Sequence, residues 1–318
     1  MTDDAINFSK DESPSDDNNH ELVRQQSWPV SGAADLNLSV DVGRIRVHLD
    51  DEQASEVRVE VRHDPTAGSG WAKGLSGLIN WIGNATGAQQ GSPEDLAADA
   101  VRAAEIIWSE GERQLVVRSS SELPLRLVPL SITVHAPAGS RLTSRTGSGD
   151  VTATGRAGLA SVRTGSGRVS VATVDGEADV TTGSGDVELG SVGGRARVRT
   201  GSGRITLAST ADRTDIKAGS GDVTLGAVSG DLGVRTGSGE VRISDARAGR
   251  LDLTTGSGEL RVAVHPGVAA ELDLTSGSGK ARSDLEVNPA PPSGAAALRV
   301  RGRTGSGDVL VTRAAVPA

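Results

Sequence analysis

The chain has 318 residues, a formal net charge of −8, 42 glycines, four tryptophans and no cysteine. The missing cysteines exclude disulfides and thiolate chemistry, and the acidic balance argues against nonspecific nucleic-acid binding. No apolar run is long enough to cross a bilayer as a helix and no secretory leader is evident, so a cytoplasmic protein without a transmembrane segment is expected.

In chain order, residues 1–29 are expected to form a disordered acidic N-terminal segment, because its first part is too polar to bury a core. From Val30 the pattern turns to β. Leu36, Leu38, Val40 and Val42 alternate with polar residues, Gly43 turns the chain, and Ile45, Val47 and Leu49 alternate again. Val57, Val59 and Val61 make a further strand.

Residues 67–112 break this pattern and hold three of the four tryptophans. Ser92, Pro93 and Asp95 make a helix start, and Leu96, Ala100, Val101, Ala104 and Ile107 share an apolar face that ends near Trp108. The segment reads as a helical insertion, either a lid over the solenoid or a docking element for a protein partner or a membrane surface. Trp71, Leu75, Leu78, Trp81 and Trp108 are its candidate docking residues. Leu115 to Arg118 and Ile132 to Val134 return to the β pattern.

From residue 147 onward Gly-Ser-Gly recurs nine times, and the first six copies, from Gly147 to Gly237, start 18 residues apart. A fixed period of this size specifies a solenoid in which each repeat buries its apolar face on the next. Counted from the first glycine, place five is Val151, Val169, Val187, Ile205, Val223 and Val241, and place seven is Ala153, Val171, Leu189, Leu207, Leu225 and Ile243. A second strand carries Val162, Val180, Val198, Ile216 and Val234 at place sixteen. Each coil is thus two short half-buried strands, and the fold class is an all-β parallel β-solenoid over residues 30–313.

Place four runs Asp150, Arg168, Asp186, Arg204, Asp222. Alternating signs one strand spacing apart attract weakly, so this structural charge ladder favours in-register stacking. Asp at each turn suits calcium in some glycine-rich repeats, but Arg168, Arg204 and Lys280 interrupt any such column, and no metal is expected. The column Arg163, Arg199, Lys217, Arg235 reads as a solvated face. Later triplet intervals lengthen to 19, 21 and 28, with a Pro-rich loop expected over 283–297 and a tail over 314–318.

Catalytic constellations are missing. The five histidines show no metal-ligand spacing, the repeated serines lack the strand-to-helix turn of a nucleophile elbow, and no phosphate-binding loop is seen. No enzyme activity and no cofactor are expected.

The repeated Thr-Gly-Ser-Gly-Asp-Val, at Thr146 to Val151, Thr182 to Val187 and Thr304 to Val309, resembles the bacterial β-strand-repeat domain of unknown function known as toastrack and labelled putative adhesin. The resemblance covers roughly Val30 to Arg313 and includes the early Val-Gly-Arg-Ile-Arg-Val. It implies a β-solenoid, bacterial origin, a link to cell-envelope stress in many relatives, and no catalytic residues. Three functions follow as expectations: a non-enzymatic scaffold with a protein partner, an end-to-end polymer like the bactofilins, and an exported adhesin.

Overall fold

The computed structural model describes residues 23–49, 55–66, 93–286 and 296–315. The chain opens with β1 (Val23–Pro29), β2 (Asp35–Leu49) and β3 (Glu56–His63), then α1 (Pro93–Ala103), β4 (Glu105–Ser109), β5 (Gln114–Arg118) and β6 (Leu130–His135). The long strand β7 (Arg141–Ala157) begins the regular coils: β8 (Leu159–Ser166) with β9 (Val169–Val174), β10 (Ala178–Ser184) with β11 (Val187–Val192), and β12 (Ala196–Ser202) with β13 (Ile205–Thr210). They continue as β14 (Thr214–Ser220) with β15 (Val223–Val228), and β16 (Leu232–Ser238) with β17 (Val241–Ala246). The irregular coils are β18 (Gly249–Ser257) with β19 (Leu260–Val264), β20 (Ala270–Ser278) with β21 (Ala281–Ser283), and β22 (Leu298–Ser306) with β23 (Val309–Arg313).

Each coil contributes one strand to each of two facing parallel ladders, and β2 and β7 run through the corner and join them. Register follows the 18-residue period: Val180 pairs with Val162 and Val198, and Leu189 with Val171 and Leu207. The expected inner rows are the core, with Val151, Val169, Val187, Ile205, Val223 and Val241 at most 1% exposed. Burial of such side chains, about 1.5 to 3 kcal/mol each, is the main force holding coil to coil.

The Thr-Gly-Ser-Gly corner follows from close approach. A Cβ on Gly203, at φ +129°, would sit 2.2 Å from the carbonyl oxygen of Gly185 in the preceding coil, so no side chain fits there. The residue before each triplet, threonine in seven of nine, points inward, and several of these hydroxyls donate to a nearby corner carbonyl, as in Thr200 to Ser202 (2.9 Å) and Thr304 to Ser306 (3.1 Å). The same oxygens also accept backbone N–H groups of the neighbouring coil, Gly185 to Ser202 and Gly258 to Ser306 (both 2.9 Å), so the bond serves to pair the inward hydroxyl itself.

Stacking order departs from chain order at both ends. β2 lies between β7 and the coil made of β5 and β6. At the other end β22 and β23 insert between the β18–β19 coil and the β20–β21 coil. The long final interval in the triplet spacing therefore carries the chain back to fill a slot it had skipped.

Two sequence expectations change. Residues 23–29 are not disordered but form β1, antiparallel to β3, with Val23, Gln25 and Ser27 alternating against half-buried neighbours. The helix ends at Ala103 rather than near Trp108, and Glu105–Ser109 forms β4, antiparallel to β5. A β-branched pair, Ile106 and Ile107, followed by Trp108 favours a strand once a partner edge is available. Residues 67–92, most of the expected Pro-rich loop and residues 316–318 lie outside the described residues.

Candidate binding surfaces

Of the candidate docking residues, Trp71, Leu75, Leu78 and Trp81 lie outside the described residues. Trp108 stands on β4, half-buried, with its ring stacked on Trp28 of β1 at 5.7 Å and 14°. The two tryptophans close one end of the solenoid, because β4 extends one ladder and β1 the other. Arg24 strengthens the closure: its Nη1 donates to the carbonyls of Val101 (3.2 Å), Arg102 (2.8 Å) and Ala104 (2.5 Å) at the C-terminus of α1. A cation there suits both the unpaired carbonyls and the helix dipole. Beside the cap, Ile107 is 53% exposed.

The charge ladder stacks in register, and Arg44 of β2 extends it by pairing with Asp150. Arg168 lies 3.6 Å from Asp186. The aspartates have a second role that sequence reasoning missed. At the corners where the neighbouring coil carries an aspartate at this place, that aspartate accepts the backbone N–H of the residue after the triplet: Arg168 N–H to Asp150 Oδ1 (2.8 Å), Arg204 to Asp186 (2.9 Å), Glu240 to Asp222 (2.9 Å) and Lys280 to Asp308 (2.9 Å). The short aspartate side chain resembles a helix N-cap in this, and its recurrence opposite a different residue type is the signal that could have pointed to it.

On the outer face of the ladder made by β5, the first parts of β2 and β7, and the even-numbered strands from β8 to β22, one column carries a run of a single sign. Starting beside Glu105 of β4, which faces Arg118 at the closed end, and running to the far end, its rungs are Arg118, Ser39, Arg145, Arg163, Thr181 and Arg199, then Lys217, Arg235, Thr254, Arg303 and Thr275. Seven cations and four hydroxyls occupy eleven rungs, with no acid among them. All seven cations are exposed, and none makes an ion pair within 4 Å of an acidic side chain among the described residues. At 4.8 Å per rung the row is about 48 Å long.

The flanking columns differ. Two residues earlier on the same face, Asp179 pairs with Arg197 (3.8 Å), Asp215 with Arg195 and Arg213 (both 3.3 Å), and Asp273 with Arg301 (3.1 Å). Burial works against ionisation of Asp215, but hydrogen bonds from Arg213 and Arg195 outweigh it and hold the carboxyl below the usual carboxylate range. Burial likewise opposes the charge on Asp245, and hydrogen bonds from Arg247 and His265 lower its pKa despite it. On the other side, the exposed serines of the triplets, such as Ser148, Ser166 and Ser184, form an uncharged row at the corner.

Among the described residues no group of three or more His, Cys, Asp or Glu is placed to hold a metal ion, and no helix is long and apolar enough to cross a membrane. A cleft of about 300 Å³ near the closed end is lined by Arg44, Arg46, Arg62 and His63 with the buried Asp64, which lies 3.9 Å from Arg44.

A sequence model of the family described as Toastrack DUF4097 matches residues 131–312, from β6 to the last strand. Similar solved structures include one described as a putative adhesin from Bacteroides fragilis NCTC 9343, 9% identical, covering 92% of this chain and 97% of that one, with a TM-score of 0.38. Another putative adhesin, from Parabacteroides distasonis ATCC 8503, is 11% identical over 92% of this chain and 98% of that one, with a TM-score of 0.42. A putative lipid binding protein from the same strain is 11% identical over 93% and 96%, with a TM-score of 0.36. No curated protein matches the chain in sequence.

Proposed function

The chain belongs to the toastrack DUF4097 family, and from that premise we propose that it acts as a non-enzymatic binding scaffold: a stiff rod, closed at one end, that displays straight rows of side chains to its ligands. The observation that carries this reading is the unbroken register of the outer columns over eleven rungs. Such a surface is preformed, so binding to it costs little ordering of the protein. The cytoplasmic location and the link to cell-envelope stress belong to the same proposal, as does a protein partner for the tryptophan-bearing segment. Fractionation of expressing cells tests the location, and recovery from the outer surface would overturn it.

End-to-end polymerisation is the competing reading. It needs two open ends, whereas β1, β3, β4 and the Trp28–Trp108 stack cover one. Size-exclusion chromatography with light scattering across a concentration series separates the two. The scaffold reading expects a monomer or a single pair at every concentration; a continuous climb to long assemblies would replace it with the polymer. Deletion of residues 67–92, which leaves α1 and β4 in place, tests the docking segment. Equal recovery of the partner by the folded deletion variant would remove that part of the proposal.

A further inference from the structure

We infer that the one-signed column is a binding rail for a single-file phosphate polymer, a linear polyphosphate; this rests on the reading of the rod as a binding scaffold and names one of its ligands. Three features of the column support it. First, like charges one strand spacing apart repel, and Arg199, Lys217 and Arg235 occupy three successive rungs with no acid in the row between them. The adjacent column of the same face has its aspartates paired with arginines, so the fold has the means to neutralise such a row and does not use it here. An external anion removes the repulsion.

Second, the chemistry of the row is that of donors. Guanidinium and ammonium groups donate and cannot accept, and the intervening rungs are hydroxyls. A polyphosphate presents acceptor oxygens along its length and matches such a row, and the planar guanidinium fork suits phosphate oxygens. Third, the row is one residue wide. A bilayer pressed against this face would also meet Asp179, Asp215 and Asp273, which repel anionic headgroups, whereas a single-file polymer touches the rail alone. No Trp, Tyr or Phe follows Trp108 in the chain, so the rail lacks the aromatic platforms on which the bases of a nucleic-acid strand would stack. The net charge of −8 does not oppose this, because salt screens distant charges beyond about 10 Å at 0.1 M.

The test is calorimetric titration of the full chain with long-chain inorganic polyphosphate. Binding is expected at low salt, weakening at least about tenfold between 50 and 200 mM salt as counterions are released. The variant Arg199→Gln, Lys217→Gln, Arg235→Gln is expected to lose at least about tenfold in affinity and to melt no lower than the parent, since a repulsion is gone. Arg197→Gln, Arg299→Gln, Arg301→Gln removes the same charge from ion-paired positions and should stay within about twofold of the parent. The inference is overturned if the parent fails to bind at low salt, if both triple variants weaken alike, or if anionic vesicles or an oligothymidylate of equal phosphate content bind as tightly. A parent that fails to bind yet stays monomeric or paired in light scattering sinks the rail alone, whereas end-to-end assembly sinks the scaffold reading itself.

Discussion

The two ends of the rod solve the same problem in opposite ways. At the closed end the β5–β6 coil is covered by antiparallel strands, β4 on one ladder and β3 then β1 on the other, with α1 across them and Trp28 stacked on Trp108. At the far end the β20–β21 coil pairs, among the described residues, only with the β22–β23 coil; Leu272 and Leu274 are half-buried, and Ala281, Arg282 and Ser283 are exposed. A parallel coil invites another coil on top of it, while an antiparallel strand interrupts the winding path and stops it. The open end is blunted by a strand of three residues, small side chains and charge, which are established means of discouraging edge-to-edge growth. The proposed scaffold, unlike a polymer, needs one covered end and one blunted end.

Side-chain truncation at the two ends should differ most. Leu115→Ala, at a fully buried position of β5, is expected to destabilise by about 2 to 5 kcal/mol, and Leu272→Ala, at a half-buried position of β20, by about 1 kcal/mol or less, read by urea denaturation. Equal losses would erase the distinction. Next, Arg24→Ala removes the donor to three carbonyls at the end of α1 and should cost about 1 to 2 kcal/mol, with faster proteolysis of that end. Trp108→Leu keeps an apolar body but loses the stacking, about 0.5 to 1.5 kcal/mol, and should leave the assembly state unchanged if the antiparallel strands rather than the rings block growth.

The smallest effect is acid sensitivity between the two ends. The folded-state pKa of Asp215 and Asp245 is depressed, so their contribution is present above the unfolded value, near 3.9, and is lost as pH falls through the folded one. Asp215→Asn should flatten the loss of stability below about pH 4, and an unchanged pH profile would show that Arg195 and Arg213 do not hold this carboxylate.

The regular middle was legible because its period repeats nearly the same physical demand in every coil: an apolar pair inward, usually a threonine before the corner, and a glycine where Gly185 and Gly203 approach too closely for a Cβ. Both ends were harder to read. Nothing local in Leu298 to Arg313 tells that it enters between two earlier coils, since its inward residues suit any slot in the stack. β4 hid inside a helical pattern because Ile107 and Trp108 fit an apolar helix face as well as a strand, and only the free edge of β5 decides between them. The cationic rungs Arg163, Arg199, Lys217 and Arg235 were visible as a column, but Arg118 and Arg303 joined it only through the altered stacking order.

Amide hydrogen exchange resolved by strand is the most direct measurement of the rod with one closed end. Slow, uniform exchange is expected from β5 and β6 through β19, with β22 and β23 close behind, and fast exchange in β20 and β21. Exchange in β5 and β6 as fast as in β20 and β21, or protection in β20 and β21 equal to that of the central coils, would contradict it.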